Sequence, residues 1–321
     1  MRKITAFLVF IALTQPAISS ADKRYFPFPE TGVLTEAMTK FYDDNGYVVL
    51  TDYIPQERCS LLYEQAMQIA KALNPTPDEL KQQFDHPTQY LLQTASALVP
   101  LFYPEAYVDG KLVVAAADAV YAMGNNAGAC NDSLRELTLN NLNRTICNSL
   151  GYTDPQLNQS QINYKSQRYS RPFLAHQDQM FSPTLTQSLC TFIIPFVQTT
   201  MENGCWWVVP GSHKFGPYMR YLRMADDSFA YVGEKERVLT TDEVTKLRQE
   251  WQAKLSTPLA APAGSLTIIH GCLIHGSFKL KGAMQENRVV YTFSVTENGD
   301  QDPRIWNYNP DYPLIKGDGK I

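Results

Sequence analysis

The chain has 321 residues, 44% of them hydrophobic, enough for one large domain or two small ones with a sizeable core. Its 28 basic and 32 acidic residues give a net charge of -4, without the basic excess that marks nucleic-acid binding. The 18 tyrosines and 15 phenylalanines fit a β-rich protein with a lined pocket.

Positive charge at Met1-Arg2-Lys3 precedes an apolar run, Ile4 to Leu13, and then small residues at Ala17, Ser19 and Ala21. This layout predicts a secretory signal peptide over residues 1–21 and an exported product, periplasmic or secreted. Without a working signal the chain would stay cytoplasmic. The run is too short for a typical membrane span, and no later segment reads as an integral one. In an exported chain cysteines can pair, and Cys130 with Cys147 is the expected disulfide.

Leu34-Thr35-Glu36 opens a helix that Asn45-Gly46 closes, and Tyr47 to Leu50 reads as a strand. Pro55 to Leu73 predicts a second helix, ended by Pro75 and Pro77. Further helical pieces are expected between Gln89 and Val120, then a polar Asn-rich stretch and a short helix over Asn143–Leu150. From Gln159 the texture changes to short apolar runs between turns, the pattern of an antiparallel β-sandwich or jelly roll. A charged insert, 214–256, interrupts it and carries a helix capped at Thr241-Asp242-Glu243. The expected organisation is one domain over 22–321, helical from about 34 to 150 with a jelly-roll core from about 159 to 296.

Four of the five histidines lie in the β half. His176-Gln177-Asp178 sets an imidazole and a carboxylate two residues apart, on one side of an extended chain. A distant histidine, His275, would complete two nitrogens and one oxygen on one face of a metal, a set that suits Fe(II) and leaves positions open. Arg288 heads the strand thirteen residues after His275, where an inward guanidinium can hold a dicarboxylate bidentately. His270 lies five residues before His275, and strand parity would turn it to the opposite face. His213, in Pro210-Gly211-Ser212-His213, reads as a structural loop residue, and His86 as a surface one. Of the adjacent Trp206 and Trp207, only one can face inward.

Together these motifs resemble the phytanoyl-CoA dioxygenase family of Fe(II)/2-oxoglutarate oxygenases. The likeness opens at Phe41-Tyr42-Asp43-Asp44-Asn45-Gly46-Tyr47 and continues through His176-Gln177-Asp178, Asn203-Gly204, Pro210-Gly211-Ser212-His213, His275-Gly276-Ser277 and Arg288. It implies a double-stranded β-helix (jelly-roll, cupin-like) fold, mainly β with flanking α-helices. It implies His176, Asp178 and His275 as iron ligands, Arg288 and Ser277 on the distal carboxylate of 2-oxoglutarate, and O₂ as co-reactant. The stretch Gln159 to Lys165 resembles the cosubstrate strand of ectoine hydroxylases, which implies cosubstrate contacts from Gln159 and Asn163. The implied reaction is hydroxylation of an unactivated C–H bond of a small molecule, with release of succinate and CO₂. Asp178 stands where related halogenases carry a small residue, which favours hydroxylation, desaturation or ring closure. No basic cluster suits the phosphates of a CoA ester. Gln179–Phe181, the segment before His176 and the insert are expected to line the substrate pocket. The competing expectation is an exported metal- or ligand-binding protein on the same fold, without turnover.

Overall fold

The computed structural model describes residues 23–85, 98–129, 131–226, 228–254, 256–281, 287–302 and 304. The expected signal segment, His86 and, through Cys130, the expected disulfide lie outside these residues.

Sixteen strands follow one another among the described residues. They are β1 (Tyr25–Pro27), β2 (Tyr47–Thr51), β3 (Leu98–Phe102), β4 (Tyr107–Val108), β5 (Lys111–Leu112), β6 (Val120–Asn125), β7 (Pro155–Lys165) and β8 (Phe173–His176). Then come β9 (Cys190–Pro195), β10 (Trp206–Val208), β11 (Arg220–Arg223), β12 (Phe229–Val232), β13 (Thr257–Leu259), β14 (Leu266–His270), β15 (His275–Ser277) and β16 (Arg288–Glu297). An eight-stranded sheet in the order β1-β2-β14-β9-β16-β7-β6-β3 faces a four-stranded sheet, β13-β10-β15-β8. This is the double-sheet jelly roll expected from the strand texture.

Local chemistry explains the elements that position the site. Helix α1 (Glu36–Asn45) starts where the Thr35 hydroxyl accepts from the Met38 amide, and stops at Gly46, whose φ of 80° suits a residue without Cβ. Gly46 then feeds β2 directly. Helix α2 (Gln56–Ala72) follows, but Pro77 does not end it. Pro77 opens a further helix, α3 (Pro77–Asp85), where a proline costs no hydrogen bond.

The stretch expected to be helical up to Val120 departs most. Its described part holds strands β3, β4 and β5, a 3-10 turn (Pro104–Ala106) and one short α-helix, α4 (Ala116–Ala119). The Asn-rich stretch holds helix α5 (Asp132–Thr138), capped by Asn131, and runs into α6 (Asn141–Ser149), capped by Asn140. In the insert, Thr240 rather than Thr241 is the cap of helix α7 (Thr241–Gln252), with Glu243 completing the capping box.

Three packed layers result. The outer face of the large sheet offers Ile162, Tyr164, Tyr291, Phe293 and Val295 to the N-terminal helices. Between the sheets lie Val49, Ile193, Val208, Leu259, Ile269 and Val290. Outside the small sheet, Ala175, Trp207 and Ile274 pack on Val244 and Trp251 of α7. Trp251 is 1% exposed, so truncation to alanine would cost about 3–5 kcal/mol and loosen the insert.

Candidate active site

His176 ends β8 and His275 begins β15, and the two are register partners across the small sheet. Their ring centroids stand 4.2 Å apart. Asp178 does not continue the strand; it starts a 3-10 turn, Asp178–Met180, that folds its carboxylate back. The turn, not strand parity, brings Oδ1 to 3.6 Å from His176 Nε2 and 3.4 Å from His275 Nε2. One ligand atom from each of the three falls within 4.8 Å of the others.

Hydrogen bonds behind the triad fix which atoms face inward. His176 Nδ1 lies 2.8 Å from the Leu174 carbonyl, and His275 Nδ1 lies 2.9 Å from the Leu273 carbonyl. A carbonyl only accepts, so each Nδ1 carries a hydrogen, and in the neutral ring each Nε2 presents a lone pair. Asp178 Oδ2 accepts from the Thr191 hydroxyl at 2.6 Å, which leaves Oδ1 to the histidines. Burial and the facing His275 push His176 down to about 3, so its ring is neutral. Burial opposes the charge on Asp178, yet His275 outweighs it and holds the carboxyl at about 2. Burial also opposes a charge on His275, but Asp178 overrides that and raises its pKa above the ordinary range. Two neutral-capable nitrogens and one carboxylate oxygen, each oriented from behind, fit an iron(II) ion.

The triad opens into a cavity whose lining includes Gln159, Asn163, Phe173, Thr191, Trp206 and Thr292. Gln159 and Asn163 are therefore gathered with the triad, and Asn163 Nδ2 donates to Thr292 Oγ1 at 3.0 Å. Trp206 takes the inward place and stacks on Phe173, with centroids 6.0 Å apart, while Trp207 packs outward under α7. Ser277 and Arg288 are buried and outside this lining. Ser277 Oγ accepts from the Phe173 amide at 3.1 Å. Arg288 Nη1 donates to the Gly204 carbonyl at 2.6 Å. Its Nε and Nη2 are buried without a partner. An unpaired guanidinium edge of that kind calls for an anion, and a carboxylate matches it.

Other expectations need correction. Gln179 is buried and bonded to Thr184, and Met180 is core, so neither lines the pocket. The insert lines a different cavity of about 670 Å³, with Leu174, Tyr221, Phe229, Tyr231 and Arg248 among its walls. His270 is not near the triad: its neighbour Ile269 lines the triad's cavity, and parity within β14 turns His270 the other way, toward Tyr42 and His213. It ends β14 in the large sheet, the chain turns at Gly271, and His275 begins β15 in the other sheet. His213 is structural, as expected, with Nε2 donating to the Asp43 carbonyl at 3.0 Å. Phe173 bears out the expected lining by the segment before His176, whereas Thr191 escaped sequence reasoning as a site residue. Thr191, a lone hydroxyl in the apolar run Cys190–Pro195, was the one visible signal.

Residues 42–284 match the model of the family described as Phytanoyl-CoA dioxygenase (PhyH). The chain belongs to the phytanoyl-CoA dioxygenase family. Within that family, a Phytanoyl-CoA dioxygenase of Arabidopsis thaliana is 26% identical over 283 residues, spanning 84% of this chain and 90% of the relative. A Phytanoyl-CoA dioxygenase domain-containing protein 1 of Danio rerio is also 26% identical, spanning 85% and 94%. Among solved structures, EctD from S. alaskensis matches with a TM-score of 0.57 at 14% identity, over 92% of this chain and 89% of that one. The carbocyclase SnoK from nogalamycin biosynthesis, described as non-heme and alpha ketoglutarate dependent, matches with a TM-score of 0.56 at 16% identity, over 84% and 87%. At those identities the likeness carries the jelly-roll fold of the phytanoyl-CoA dioxygenase family.

Proposed function

We propose that this chain is an Fe(II)- and 2-oxoglutarate-dependent dioxygenase that hydroxylates an unactivated C–H bond of a small organic molecule. The observation that carries the reading is the His176–Asp178–His275 cluster, with both Nε2 atoms and Oδ1 converging and held from behind. Family membership supports a dioxygenase, and EctD has been solved with bound Fe and with 2-oxoglutarate and 5-hydroxyectoine.

Bound iron supplies a centre for O₂ activation, coupled to oxidative decarboxylation of 2-oxoglutarate to succinate and CO₂. The chain's own residues do the rest. His176, Asp178 and His275 hold one face of the ion and leave the other open. Arg288 offers its bare Nε and Nη2 edge to the distal carboxylate of the cosubstrate, and Ser277 is its hydroxyl partner by the family resemblance. Gln159 and Asn163 line the approach, and the stacked pair Phe173 and Trp206 walls the cavity against water.

Oxygen-dependent conversion of 2-oxoglutarate to succinate tests the reading. The iron-loaded protein is expected to make succinate under air and none under nitrogen, and Asp178→Ala to make none in either. Equal succinate from both proteins would contradict it. Export belongs to the same proposal and rests on the charge and hydropathy layout of residues 1–21. Recovery of the native protein with Met1 still attached would contradict export.

A further inference from the structure

The triad's own cavity is small, about 80 Å³. Small-molecule sites run to roughly 300–1,000 Å³, and this one must already admit the cosubstrate. The body of a substrate therefore needs room elsewhere. The cavity of about 670 Å³ beside the charged insert supplies it. Leu174 and Ala175, directly before His176, form part of its wall. Phe173 and His176, on either side of that pair, line the triad's cavity. β8 is the edge strand of the small sheet, and the two cavities lie against successive residues of it. Another cavity, about 360 Å³, shares Phe173 with the triad's, but its cations are engaged. Lys165 donates to the Arg171 and Phe278 carbonyls, and Arg171 pairs with Glu105.

The insert cavity has an aromatic side and a charged one. Phe229 and Tyr231 are two apart on β12, and Tyr221 of β11 is the register partner of Tyr231, so the three rings share one face. The Tyr221 ring centroid lies 5.6 Å from that of Phe229 and 4.8 Å from that of Tyr231. These rings are only half-buried, while Leu222 and Val232 on the opposite face are buried. Helix α7 meets them with Thr241, Thr245, Arg248 and Gln252, which share one side at helical spacing. Arg248 is half-buried and is the one charged residue in this lining. Its Nε donates to the Ala175 carbonyl at 3.0 Å. Among the described residues no carboxylate pairs with it, and the ionisable group acting on it is Tyr231. After burial and His275, Arg248 also opposes a positive charge on His176, so the guanidinium lies toward the triad. Held through Nε, it presents its two Nη groups as a fork that a carboxylate fills.

We infer that the insert cavity holds the substrate, and that the substrate is a small monocarboxylate with an aromatic body. Arg248 grips the carboxylate, the Tyr221, Phe229 and Tyr231 face covers the body, and the far end passes the edge of β8 toward the metal ligands. This rests on the functional reading above. One unpaired cation with no acid beside it matches one negative charge, whereas a dianion would leave charge unmatched. The three half-buried rings supply apolar surface of the kind that marks a binding site.

The test is calorimetric titration of hydrocinnamate into protein saturated with Mn(II) and 2-oxoglutarate under nitrogen, which keeps Arg288 and the metal occupied. Wild type is expected to bind it, and to bind hydrocinnamamide about 10- to 100-fold more weakly, the loss of charged hydrogen bonds. Acetate, which has the charge without the body, should bind at least about 100-fold more weakly. Arg248→Gln should bring the acid to the level of the amide, and Arg248→Lys should recover part of the difference. Unchanged circular dichroism and Mn(II) affinity establish that each variant is folded, and the comparison of acid with amide needs no variant. In the iron-loaded protein under air, hydrocinnamate should raise the rate of succinate formation, and Arg248→Gln should lose that rise. Equal binding of acid and amide, acid binding unchanged in Arg248→Gln, or no binding of the acid overturns this inference alone. Binding that depends on Arg248 without any rise in succinate also overturns it, because the cavity would then serve a ligand other than the substrate. Wild type that fails to bind 2-oxoglutarate overturns the functional reading and this inference with it.

Discussion

His176 and His275 are direct partners across β8 and β15, and each directs its Nδ1 at the carbonyl two residues before it. The two side chains are thus oriented by the same local device on neighbouring strands. Their Nε2 atoms converge on Asp178 Oδ1 as a consequence of register.

The first prediction concerns the three ligands. His275→Ala or Asp178→Ala should lower Fe(II) affinity by more than about 100-fold, since the loss of a ligand exceeds the loss of its support. Metal content after desalting measures it. Full iron occupancy in either variant would contradict the assignment.

Thr191 should matter without touching the metal. Thr191→Val keeps the shape of the side chain but frees Asp178 Oδ2, and Fe(II) affinity should fall about 10–100-fold. Competition with a chromophoric chelator reads this directly.

Arg288→Gln should leave iron binding intact and weaken 2-oxoglutarate by about 2–3 kcal/mol, the cost of losing charged hydrogen bonds to a carboxylate. Gly204→Ala strains the same corner. Gly204 has φ of 75°, and a Cβ would stand 2.5 Å from the Phe278 carbonyl. A loss of about 1–3 kcal/mol in urea denaturation is expected.

Metal binding should also depend on pH. Asp178 holds the pKa of His275 above its ordinary value, so a proton must leave before iron binds. The sign follows: Fe(II) affinity falls as pH drops from 8 toward 6. In His275→Ala that dependence should flatten.

Much of this was legible in the residues. Thr35 and Gly46 carry caps that work locally, so α1 reads correctly from either end. The alternation Gln159, Gln161, Asn163, Lys165 against Ile162 and Tyr164 marks a two-faced strand. What escaped depends on distant partners. Val99 to Phe102 and Val120 to Met123 are apolar runs that suit helix or strand, and only pairing with each other and with β7 decides for strand. Asp178 lies in a turn that no parity rule describes. The split between His270 and His275 turns on Gly271, where a Cβ would stand 2.8 Å from the Leu189 carbonyl oxygen. The opposition of Lys165 to Arg288 exists only in the folded register.

The measurement that bears most directly on the central claim is anaerobic titration of the protein with Fe(II) and then 2-oxoglutarate, followed by visible absorbance. A charge-transfer band of the iron-chelated cosubstrate is predicted for wild type, with its loss in Asp178→Ala and a large shift to higher cosubstrate concentration in Arg288→Gln. Folded, iron-loaded wild type with no band at saturating 2-oxoglutarate would contradict the account.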